Sequence, residues 1–465
     1  VRTFHDFDSH LYVGIPLVLD VDTLFCETVE ASWFVNDKLV QQDQSLSYTP
    51  QSTDVGGSLS VLLKPMRESH DGRGCEEAYQ FSNKIEFPPE NYILSLRPTW
   101  TSKRDITSKQ NIRIMTYNIL ADQYAFLKPG VLTRSLRTYL DAKVLGRQRR
   151  MPLILNEILA YDADIVCLQE VDQSVHRALL EPTMRHLGYE GYFSRKDSNG
   201  TREGCCIFWL SQRFENVPEK QRESHLLKYL MPSPDEFSAD SGVNEEWQST
   251  RTIANLFRNR PDLDTFLRHK LGHVAQIVPL QLRGSNETLW VCNTHLYFHP
   301  KASHIRTLQM YAVCRQLGRN LANRPGSVIV CGDFNANLTD PPGCILVKRH
   351  VPANTRKLKL DLNRFRWSAQ ERRRRRNTDF PELSLPDDDQ LFPSMQSALQ
   401  EAAAVTHFNK GFNGTLDHIV VGGPTIEPVR SAPMPAMRDV GKHTAMPSEF
   451  LPSDHVSLVA ELKVM

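Results

Sequence analysis

The sequence lacks three features that would place it in a familiar class. No run of about 18 apolar residues occurs in its 465 residues, so we expect no transmembrane helix and no membrane partner. No CxxC pair occurs among its nine cysteines, several of which lie inside apolar runs, and this favours a reduced compartment without a zinc site. A net charge is also missing, because 55 Lys and Arg oppose 54 Asp and Glu. Any nucleic-acid binding must therefore come from a local site.

The chain divides into two parts with different patterns. Residues 1–100 contain short runs of β-branched and aromatic residues between glycine-containing turns, which predict a small all-β sandwich. Trp33 would be its core anchor or a packed edge aromatic, and the sequence leaves both open. We interpret the polar residues 101–110 as a linker. Residues 111–465 alternate strand-like runs with helical stretches such as 147–160, which predicts a layered α/β domain.

Two polar insertions interrupt the α/β pattern, near residues 215–265 and 355–392. The first should be helical in part. The second contains Arg372–Arg376, five arginines in a row, followed by the acidic run Asp387–Asp389. We interpret the second insertion as a solvated and mobile segment, the usual role of such charge runs. The alternative is a loop that contacts RNA.

Polar side chains stand at the ends of five apolar runs that should form buried strands. Each tip offers a carboxylate, a carboxamide or an imidazole where a core strand would ordinarily stay apolar. If the strands deliver these tips to one edge of a sheet, they build a magnesium-dependent site that cleaves phosphodiesters. The tips are Asn118, Gln169-Glu170, Asn293-Thr294-His295, Gly332-Asp333-Phe334-Asn335 and Ser453-Asp454-His455.

Carboxylates at two of these tips suggest metal binding and water activation. Glu170 at the end of a buried strand would be costly unless it is paired or binds a cation, and Mg²⁺ prefers carboxylates with waters and phosphates. Taken alone, Glu170 is more simply an exposed residue that begins a loop. Asp333 could orient or deprotonate water, and Asn335 on the same face could donate to a phosphate oxygen. An Asx turn explains these two residues about equally well.

Two histidines and an aspartate complete the pattern. A lone histidine at a strand end is more often structural, but His295 and His455 together are harder to explain in that way. Imidazoles can stabilise the extra negative charge on a five-coordinate phosphorus. Asp417 could hold one of them in a fixed tautomer, whereas its neighbour His418 alternates to the other strand face and should pack. Each motif is weak alone, and their joint occurrence favours one site.

On these residues the chain resembles the endonuclease/exonuclease/phosphatase superfamily over 111–465. It is most similar to the branch of poly(A)-specific deadenylases, Nocturnin, Angel and the mitochondrial 2′,5′-phosphodiesterases, with the last group nearest. The resemblance implies a four-layer α/β sandwich of two facing mixed sheets with outer helices, here preceded by the small β-sandwich. Its strings are Thr-Tyr-Asn-Ile-Leu-Ala-Asp (116–122), Cys-Leu-Gln-Glu-Val (167–171), Arg-Glu-Gly-Cys-Cys-Ile-Phe (202–208), Asn-Thr-His-Leu (293–296), Gly-Asp-Phe-Asn (332–335), Leu-Asp-His-Ile (416–419) and Pro-Ser-Asp-His (452–455).

The same resemblance implies a role for each tip. One or two Mg²⁺ ions would bind at Glu170, with Asn118 and Asp454 lining the metal and phosphate pocket. The catalytic residues would be Asp333 and Asn335, which position water and phosphate, and His295, His455 and the supporting Asp417, which act at the phosphate oxygens.

Residues outside the tips would bind the substrate. Pro300 and Phe412 resemble a proline and an aromatic that stack on adenine, a contact of roughly 1–3 kcal/mol per base. The alternative for Phe412 is packing under its loop. Arg202 is a further expected substrate contact. Two departures from the family pattern are His418, where relatives often carry tyrosine, and 355–392, which has no obvious counterpart.

The front part selects among the relatives. Residues 1–100 show no leucine-rich repeat, which cytoplasmic deadenylases of this branch carry, and a short β-domain there resembles the mitochondrial 2′,5′-phosphodiesterases. The resemblance implies hydrolysis of 2′,5′-linked oligoadenylates and 3′ poly(A) RNA to AMP in the mitochondrial matrix. Since the chain begins at Val1 without Met, we expect a fragment or processed form, with any targeting segment upstream. Alternatives are a Nocturnin- or Angel-like phosphatase or cyclic phosphodiesterase, and an inactive scaffold that binds RNA or protein.

Overall fold

The structure is a computed structural model, and it describes the chain except for residues 1, 4–6, 23–25, 27, 67–75, 103–109, 126–139, 198–199, 201, 235–246, 367–376 and 401–404. The front part is built from strands β1 (Arg2–Thr3), β2 (Leu11–Tyr12), β3 (Leu17–Val18), β4 (Val21–Asp22), β5 (Thr28–Val35), β6 (Lys38–Asp43), β7 (Ser47–Tyr48), β8 (Ser58–Met66) and β9 (Glu77–Glu86). A sheet in the order β2-β9-β8-β5-β6 is accompanied by the pairs β1-β4 and β3-β7. The predicted small all-β region is therefore present.

Trp33 is the core anchor of this front region. Its side chain is fully buried, and its ring stacks at 5.6 Å from Tyr48 and 6.3 Å from Phe81. Strand β5 alternates buried and accessible residues, as expected for a sheet with one face on a core. The alternative of an edge aromatic is excluded, because β5 lies between β6 and β8.

The larger part combines strands and helices in alternation. Its strands are β10 (Asn111–Asn118), β11 (Ile165–Asp172), β12 (Tyr189–Arg195), β13 (Glu203–Leu210), β14 (Glu223–Leu226), β15 (Val274–Gln281), β16 (Thr288–His295), β17 (Ser327–Asp333), β18 (His350–Val351), β19 (Leu383–Ser384), β20 (Met395–Ser397), β21 (His407–Asn409), β22 (Phe412–Gly414), β23 (Asp417–Gly422), β24 (Ile426–Ser431) and β25 (Leu458–Val464). Its helices are α1 (Tyr92–Ser95), α2 (Pro98–Thr101), α3 (Asp122–Ala125), α4 (Ala142–Leu145), α5 (Arg147–Ala160), α6 (Gln173–Val175), α7 (Glu181–His186), α8 (Leu227–Leu230), α9 (Gln248–Asn259), α10 (Pro261–Lys270), α11 (Ser303–Asn323), α12 (Pro341–Val347), α13 (Arg356–Arg364) and α14 (Met437–Val440).

Two mixed sheets have the same pattern of strand directions. Sheet A has the order β12-β13-β11-β10-β25-β24, and sheet B has the order β14-β15-β16-β17-β23-β20. In each sheet the central pair is parallel, β10 with β11 and β16 with β17, while all other neighbours are antiparallel. Parallel neighbours end at the same edge, so each sheet brings two strand ends together there.

The two sheets face each other, and helices cover their outer faces. One apolar cluster joins the inner faces, including Ile114 and Ile207 of sheet A and Val291 and Ile419 of sheet B. A second cluster packs α5 on the outer face of sheet A, and a third packs α9 to α13 on that of sheet B. The predicted four-layer α/β sandwich is confirmed. No helix within the described ranges is both long and apolar enough to cross a membrane.

The two parts of the chain contact each other through α5. Tyr12 and Ile15 share a small buried cluster with Leu153 and Leu155, and the His10 amide donates to the Gln148 carbonyl at 2.9 Å. Residues 91–100, which we assigned to the front domain, pack on the α/β sandwich instead. Trp100 belongs to the core beneath sheet A.

The described flanks of the second predicted insertion are folded, rather than solvated as we expected. They bury Leu358 and Leu362 of α13, Leu383 of β19 and Phe380 just before β19 in the core over sheet B. The apolar residues spaced four apart in α13 explain this, because they give that short helix one buried face. The arginine run Arg372–Arg376 lies outside the described residues.

The first predicted insertion is partly helical. It supplies β14, the edge strand of sheet B, and helices α8 to α10 that cover that sheet. These described elements are therefore part of the fold, and charged residues such as Arg251 and Arg258 of α9 face solvent, while the polar Ser249 and Thr250 are buried.

Candidate active site

The ends of the two central parallel pairs carry four of the predicted site residues. Asn118 ends β10 opposite Gln169 of β11, and His295 ends β16 opposite Asp333 of β17. In open α/β sheets, functional groups gather at the carboxyl ends of such strands. Because the two sheets face each other, these two edges lie close together, and Asn118 of sheet A donates a hydrogen bond to Asp333 of sheet B.

Antiparallel neighbours complete the same edge from the opposite direction. Asp417 begins β23 and pairs with Asp333. Leu458 begins β25 and pairs with Thr116, so Asp454 and His455, a few residues earlier, reach the edge where β10 ends. The Ser453 hydroxyl donates to the Asn118 carbonyl at 2.6 Å and fixes this approach.

A β-bulge in β11 separates the two polar residues at its tip. Leu168 pairs with Cys206 and Val171 with Gly204, so one extra residue is accommodated in β11. Glu170 has a φ of 55° at this point, which aims its side chain into the pocket. Gln169 points the other way, between the sheets, where its Nε2 donates to Asn293 Oδ1 at 2.8 Å. Gln169 and Asn293 thus join the sheets and lie outside the pocket.

Asn118 lies between two carboxylates as a hydrogen-bond donor. Its Nδ2 donates to Glu170 Oε1 at 3.2 Å and to Asp333 Oδ2 at 3.1 Å, while its Oδ1 accepts from the Leu120 amide at 3.1 Å. The other Glu170 oxygen accepts from the Ala121 amide at 3.0 Å. Asn118 therefore organises the two carboxylates through its amide nitrogen, and its expected place in the lining of a metal and phosphate pocket stays a prediction.

The glycine before Asp333 allows a very close backbone approach. Gly332 has a φ of 133°, and a Cβ there would lie 2.0 Å from the Thr294 carbonyl oxygen. The Asp333 carboxylate then accepts from the Asn335 backbone amide at 2.8 Å, which is an Asx turn. Asn335 donates from Nδ2 to the Leu296 carbonyl at 3.0 Å, which leaves its second N–H for a ligand. The Asx turn and a place in the candidate site, which we had treated as alternatives for Asp333 and Asn335, are therefore compatible.

His455 and His295 flank Asp333 but differ in charge. His455 Nδ1 contacts Asp417 Oδ2 at 2.8 Å, and its Nε2 lies 3.7 Å from Asp333 Oδ2. Burial lowers the pKa of His455, but Asp417, Asp333 and Asp454 outweigh it and raise the pKa to about 10, so the ring is a cation at neutral pH. His295 Nε2 lies 3.5 Å from the same Asp333 oxygen. Burial and the nearby Lys196, His273 and His455 hold its pKa well below the usual range, so it is neutral.

The carboxylates at the pocket floor titrate near neutral pH. Burial, with the charges of Glu203 and Asp454, raises the pKa of Glu170 to about 7. Burial and the charge of Asp417 raise the pKa of Asp333 to about 6 against the opposing effect of His455. Buried carboxylates crowded in this way favour a counter-cation.

The donor set fits a divalent metal ion. Within the described residues, the ligand atoms of Asp333, Asp417 and His455 lie within 4.8 Å of one another, and so do those of His407, Asp454 and His455. Glu170 lies outside both sets and offers carboxylate oxygens, the donors that Mg²⁺ prefers. Sets that include imidazole suit softer divalent ions as well. These groups therefore offer chemically distinct donor sets for a cation.

Three groups that the sequence interpretation missed join the site on the side of sheet A. Glu203, buried at the start of β13, accepts from Lys196 Nζ at 2.7 Å and from the Tyr124 hydroxyl at 3.3 Å. Burial lowers the pKa of Lys196, but the charges of Glu203 and Glu170 outweigh burial and raise this pKa above its ordinary value. Glu203 follows the predicted Arg202 directly, so the sequence string Arg-Glu-Gly-Cys-Cys already included this residue of the candidate site. Arg202 itself is exposed just before β13.

His407 is the fourth missed residue and lies on the side of sheet B. It begins β21, forms an isolated β-bridge with His455, and places its ring 4.6 Å from the His455 ring. Its Nε2 lies 3.5 Å from Asp454 Oδ2, and its ring lies 5.5 Å from Phe412. No sequence periodicity indicated it, because its hairpin of three-residue strands is held by the tertiary fold.

The predicted base-stacking residues are both exposed, and each lies near a histidine of the candidate site. Pro300 is exposed in the loop 296–302, directly after His295, and Phe412 is 51% exposed on β22 beside His407. Phe412 is therefore not packed under its loop. His418 is buried as expected, with Nε2 2.8 Å from the Ala336 carbonyl oxygen.

Comparison with known proteins identifies the family to which this arrangement belongs. A model of the Endonuclease/Exonuclease/phosphatase family matches residues 115–455. The chain belongs to the endonuclease/exonuclease/phosphatase family. This family comprises hydrolytic nucleases and phosphodiesterases, and its matched segment begins in β10 and ends at His455. The predicted family is confirmed.

Two individual relatives are each less than 30% identical to this chain. The 2′,5′-phosphodiesterase 12 of Homo sapiens is 28% identical over 458 residues, which is 97% of this chain and 65% of that protein. The 3′-5′-exoribonuclease subunit Ccr4 of the CCR4-Not complex of Schizosaccharomyces pombe is 22% identical over 403 residues, which is 78% of this chain and 51% of that protein. The chain thus spans between half and two thirds of these relatives.

A solved structure shares the fold. Crystallised ANGEL2, described as a 2′,3′-cyclic phosphatase, has a TM-score of 0.56 and 19% sequence identity. The alignment covers 76% of this chain and 96% of that one. At this identity the comparison supports the α/β sandwich fold alone.

Proposed function

We propose that the protein is a divalent-metal-dependent phosphodiesterase that releases AMP from 2′,5′-linked oligoadenylates and from 3′ poly(A) tails. The observation that carries this proposal is the convergence of Glu170, Asp333, His295 and His455 at one sheet edge, next to the exposed Phe412. The similarity to 2′,5′-phosphodiesterase 12 covers nearly the whole chain, front region included, and supports the 2′,5′ linkage.

The residues at the edge divide the work of hydrolysis. Asp333 is positioned to accept a proton from water, since a pKa of about 6 suits a base at neutral pH. Cationic His455, oriented by Asp417, would stabilise negative charge on the phosphate oxygens. Neutral His295 can donate one further hydrogen bond. A metal at Glu170 would supply Lewis-acid polarisation of the phosphate.

Base recognition would come from two exposed residues, Pro300 and Phe412. Pro300 lies in the loop that follows His295, Phe412 lies beside His407, and a nucleobase between them would be fixed by stacking rather than by hydrogen bonds. Arg202 is a proposed phosphate contact at the side of sheet A. We expect Phe412→Ala to raise the Michaelis constant for oligoadenylate.

A substrate panel tests the function directly. Purified protein is incubated with 2′,5′-triadenylate, poly(A), NADPH and RNA with a 2′,3′-cyclic phosphate, each with Mg²⁺ and with chelator. Release of AMP from the first two substrates, lost with chelator and in Glu170→Gln, supports the proposal. Turnover of NADPH alone would overturn it.

The second candidate function is a 2′,3′-cyclic phosphodiesterase or phosphatase. The fold shared with ANGEL2 favours it, because the same sheet edge would act on a cyclic phosphate. Turnover of only the cyclic-phosphate RNA in the panel would select it. Complete inactivity of a folded, metal-loaded protein on all four substrates would leave the scaffold that binds RNA or protein.

The cellular location belongs to the same proposal. We propose the mitochondrial matrix, on the resemblance of the front region to that of mitochondrial 2′,5′-phosphodiesterases. Expression of the complete gene product with a C-terminal fluorescent tag checks this. Fluorescence outside a matrix marker would contradict the location without affecting the chemistry.

A further inference from the structure

Helix α13 presents a cationic face beside the substrate loop. Between residues 356 and 366 the chain carries five cations and one carboxylate, Asp361. Leu358 and Leu362 face the core, so the charged residues lie on the outer side of the helix. Arg356 and Arg364 are exposed, and Lys359 pairs with Asp379 at 2.7 Å at the surface. Such an exposed ion pair holds its partners weakly.

A cavity of about 650 Å³ opens on this face. Four cationic side chains line it, from Arg356, Lys359, Arg364 and Arg366, together with carboxamides that include Asn354. No carboxylate is among the lining residues in the described part of the chain. The cationic and carboxamide groups of this lining match a phosphodiester backbone, because they can pair with phosphate oxygens and donate hydrogen bonds to them.

The cationic face is tied to the loop that follows catalytic His295. Asp361 of α13 accepts hydrogen bonds from the backbone and hydroxyl of Ser303, where α11 begins. The Phe365 ring lies 4.8 Å from the His299 ring. The other side of the loop is held by Arg306, which donates to the Tyr297 and His299 carbonyls at 2.9 and 2.6 Å. Loop and helix therefore form one connected surface.

The loop between His295 and α11 also carries an exposed aromatic. Phe298, in the same loop as Pro300, is 65% exposed. Aromatic rings alternating with cations are typical of surfaces that bind single-stranded nucleic acid without reading its sequence. The loop 296–302 follows His295 directly, and α13 contacts that loop through Phe365 and His299, which gives a strand leaving the active site a path toward α13.

We propose that the α13 face, defined by Arg356, Lys359 and Arg364 around the cavity, is a phosphate-binding subsite for the 5′-ward part of a single-stranded oligoadenylate. The terminal linkage of that strand lies at the active site. This proposal rests on the proposed function and adds a chain-length preference: strands long enough to reach α13 gain affinity, and dimers or trimers do not.

The test compares a long and a short substrate. The triple variant Arg356→Gln, Lys359→Gln, Arg364→Gln is assayed on a 20-residue oligoadenylate and on triadenylate between 50 and 200 mM salt. Single strands contribute a slope of about −0.7 per neutralised phosphate in log affinity against log salt, so losing three contacts should reduce the slope by about two. We expect a raised Michaelis constant for the 20-mer, and unchanged kcat and unchanged triadenylate kinetics.

A control variant with the same change in charge is made in the outer layer over sheet A, on the opposite side of the sandwich. Arg177→Gln, Arg185→Gln and Lys220→Gln remove three exposed cations near the helices over sheet A, and this variant should keep the 20-mer slope. An unchanged slope in the α13 variant would overturn the proposal, as would an equal loss on triadenylate. If the triple variant does not fold, the single exposed substitution Arg356→Gln gives the same comparison, with a slope change below one unit.

Direct binding separates this proposal from the proposed function. Fluorescence anisotropy of labelled 20-mer, measured in chelator, reports affinity without turnover. If the wild-type protein releases no AMP, and the α13 variant binds the 20-mer more weakly than the wild type does, the proposed function is overturned and the phosphate-binding subsite is retained. If the variant keeps its affinity for the 20-mer and loses it for polyglutamate, the face serves an acidic protein, and the RNA subsite is overturned.

Discussion

At the scale of single residues, Glu170 shows how burial prepares a carboxylate for a metal ion. Its backbone lies in the left-handed region at a bulge, its oxygens accept from Asn118 and Ala121, and its pKa is raised to about 7 by burial and by Glu203 and Asp454. In the metal-free protein the folded state therefore holds this proton more tightly than the unfolded chain. Its contribution to stability is present below the ordinary pKa of 4.5 and is lost as pH rises through about 7.

We predict that metal binding releases a proton below neutral pH. A cation needs the ionised carboxylate, so the apparent affinity should rise by up to about tenfold per pH unit until pH 7 and then level off. Isothermal titration calorimetry with Mg²⁺ or Mn²⁺, in two buffers of different ionisation enthalpy, measures the released protons. Glu170→Gln should bind the metal more weakly and release fewer protons. An affinity independent of pH between 5.5 and 7 would contradict the prediction.

His407 provides a second residue-scale prediction. It contacts Asp454 and the His455 ring from the β21–β22 hairpin, so it positions both. We expect His407→Ala to lower kcat by about 10- to 100-fold, the usual effect of losing a residue that orients a catalytic group. His407→Gln, which keeps a donor toward Asp454, should recover part of kcat. The matched control is exposed His350→Ala on β18, and equal kcat in the two alanine variants would refute the role.

At the scale of elements, the central parallel pairs decide where the chemistry occurs. Each sheet contributes one pair, and their ends supply Asn118 and Glu170 from sheet A and His295 and Asp333 from sheet B. The bulge in β11 and the turn after β17 then aim the carboxylates, at the cost of backbone strain that the surrounding pairing must hold.

Gly332 tests this element. A Cβ at Gly332 would lie 2.0 Å from the Thr294 carbonyl oxygen across the β16–β17 pair, at a φ of 133°. Gly332→Ala should therefore separate the strand ends, lower the free energy of unfolding by about 3 kcal/mol or more, and abolish activity. Gly284→Ala is the control, since its φ is 80° but no atom lies within 4 Å of a Cβ. That substitution should cost about 1–2 kcal/mol and spare activity. Urea unfolding and kcat measured together decide the result.

At the scale of the whole molecule, the front β-region is joined to the catalytic sandwich through α5. Ile15 and Tyr12 share a buried cluster with Leu153 and Leu155, on the face of α5 away from sheet A. The front region is therefore anchored on a layer that supports the active-site edge from behind, and its contribution should be seen first as stability.

A double-mutant cycle measures this connection. Ile15→Ala and Leu155→Ala should each lower the free energy of unfolding by about 2–5 kcal/mol, and together by an amount that differs from their sum by more than about 0.5 kcal/mol. The pair Ile15→Ala and Leu317→Ala is the control, because Leu317 lies in the cluster over sheet B and should add independently. Denaturant unfolding followed by tryptophan fluorescence gives these values. Strict additivity of the first pair would show that the two parts unfold separately.

The sequence by itself determined the family, the layered α/β class and the chemical type of most site residues. Strand tips such as Glu170, Asp333 and His455 could be recognised in the sequence because a polar group at the end of a buried apolar strand is costly to bury unless it is paired or binds a ligand. The string around Arg202 pointed to the right place in β13, although the buried member is Glu203.

Only the tertiary structure decided which groups meet and in which protonation state. Gln169 and Glu170 are neighbours in sequence, yet one bridges the sheets and the other faces the pocket, because a bulge forms against β13. His407 and Lys196 join the site through long-range packing that leaves no periodic trace. Helix α13, at the start of the charged insertion, packs onto sheet B because Leu358 and Leu362 find a core there. Burial and proximity also set the pKa of Glu170, His295 and His455, since both depend on neighbours that are distant in the chain.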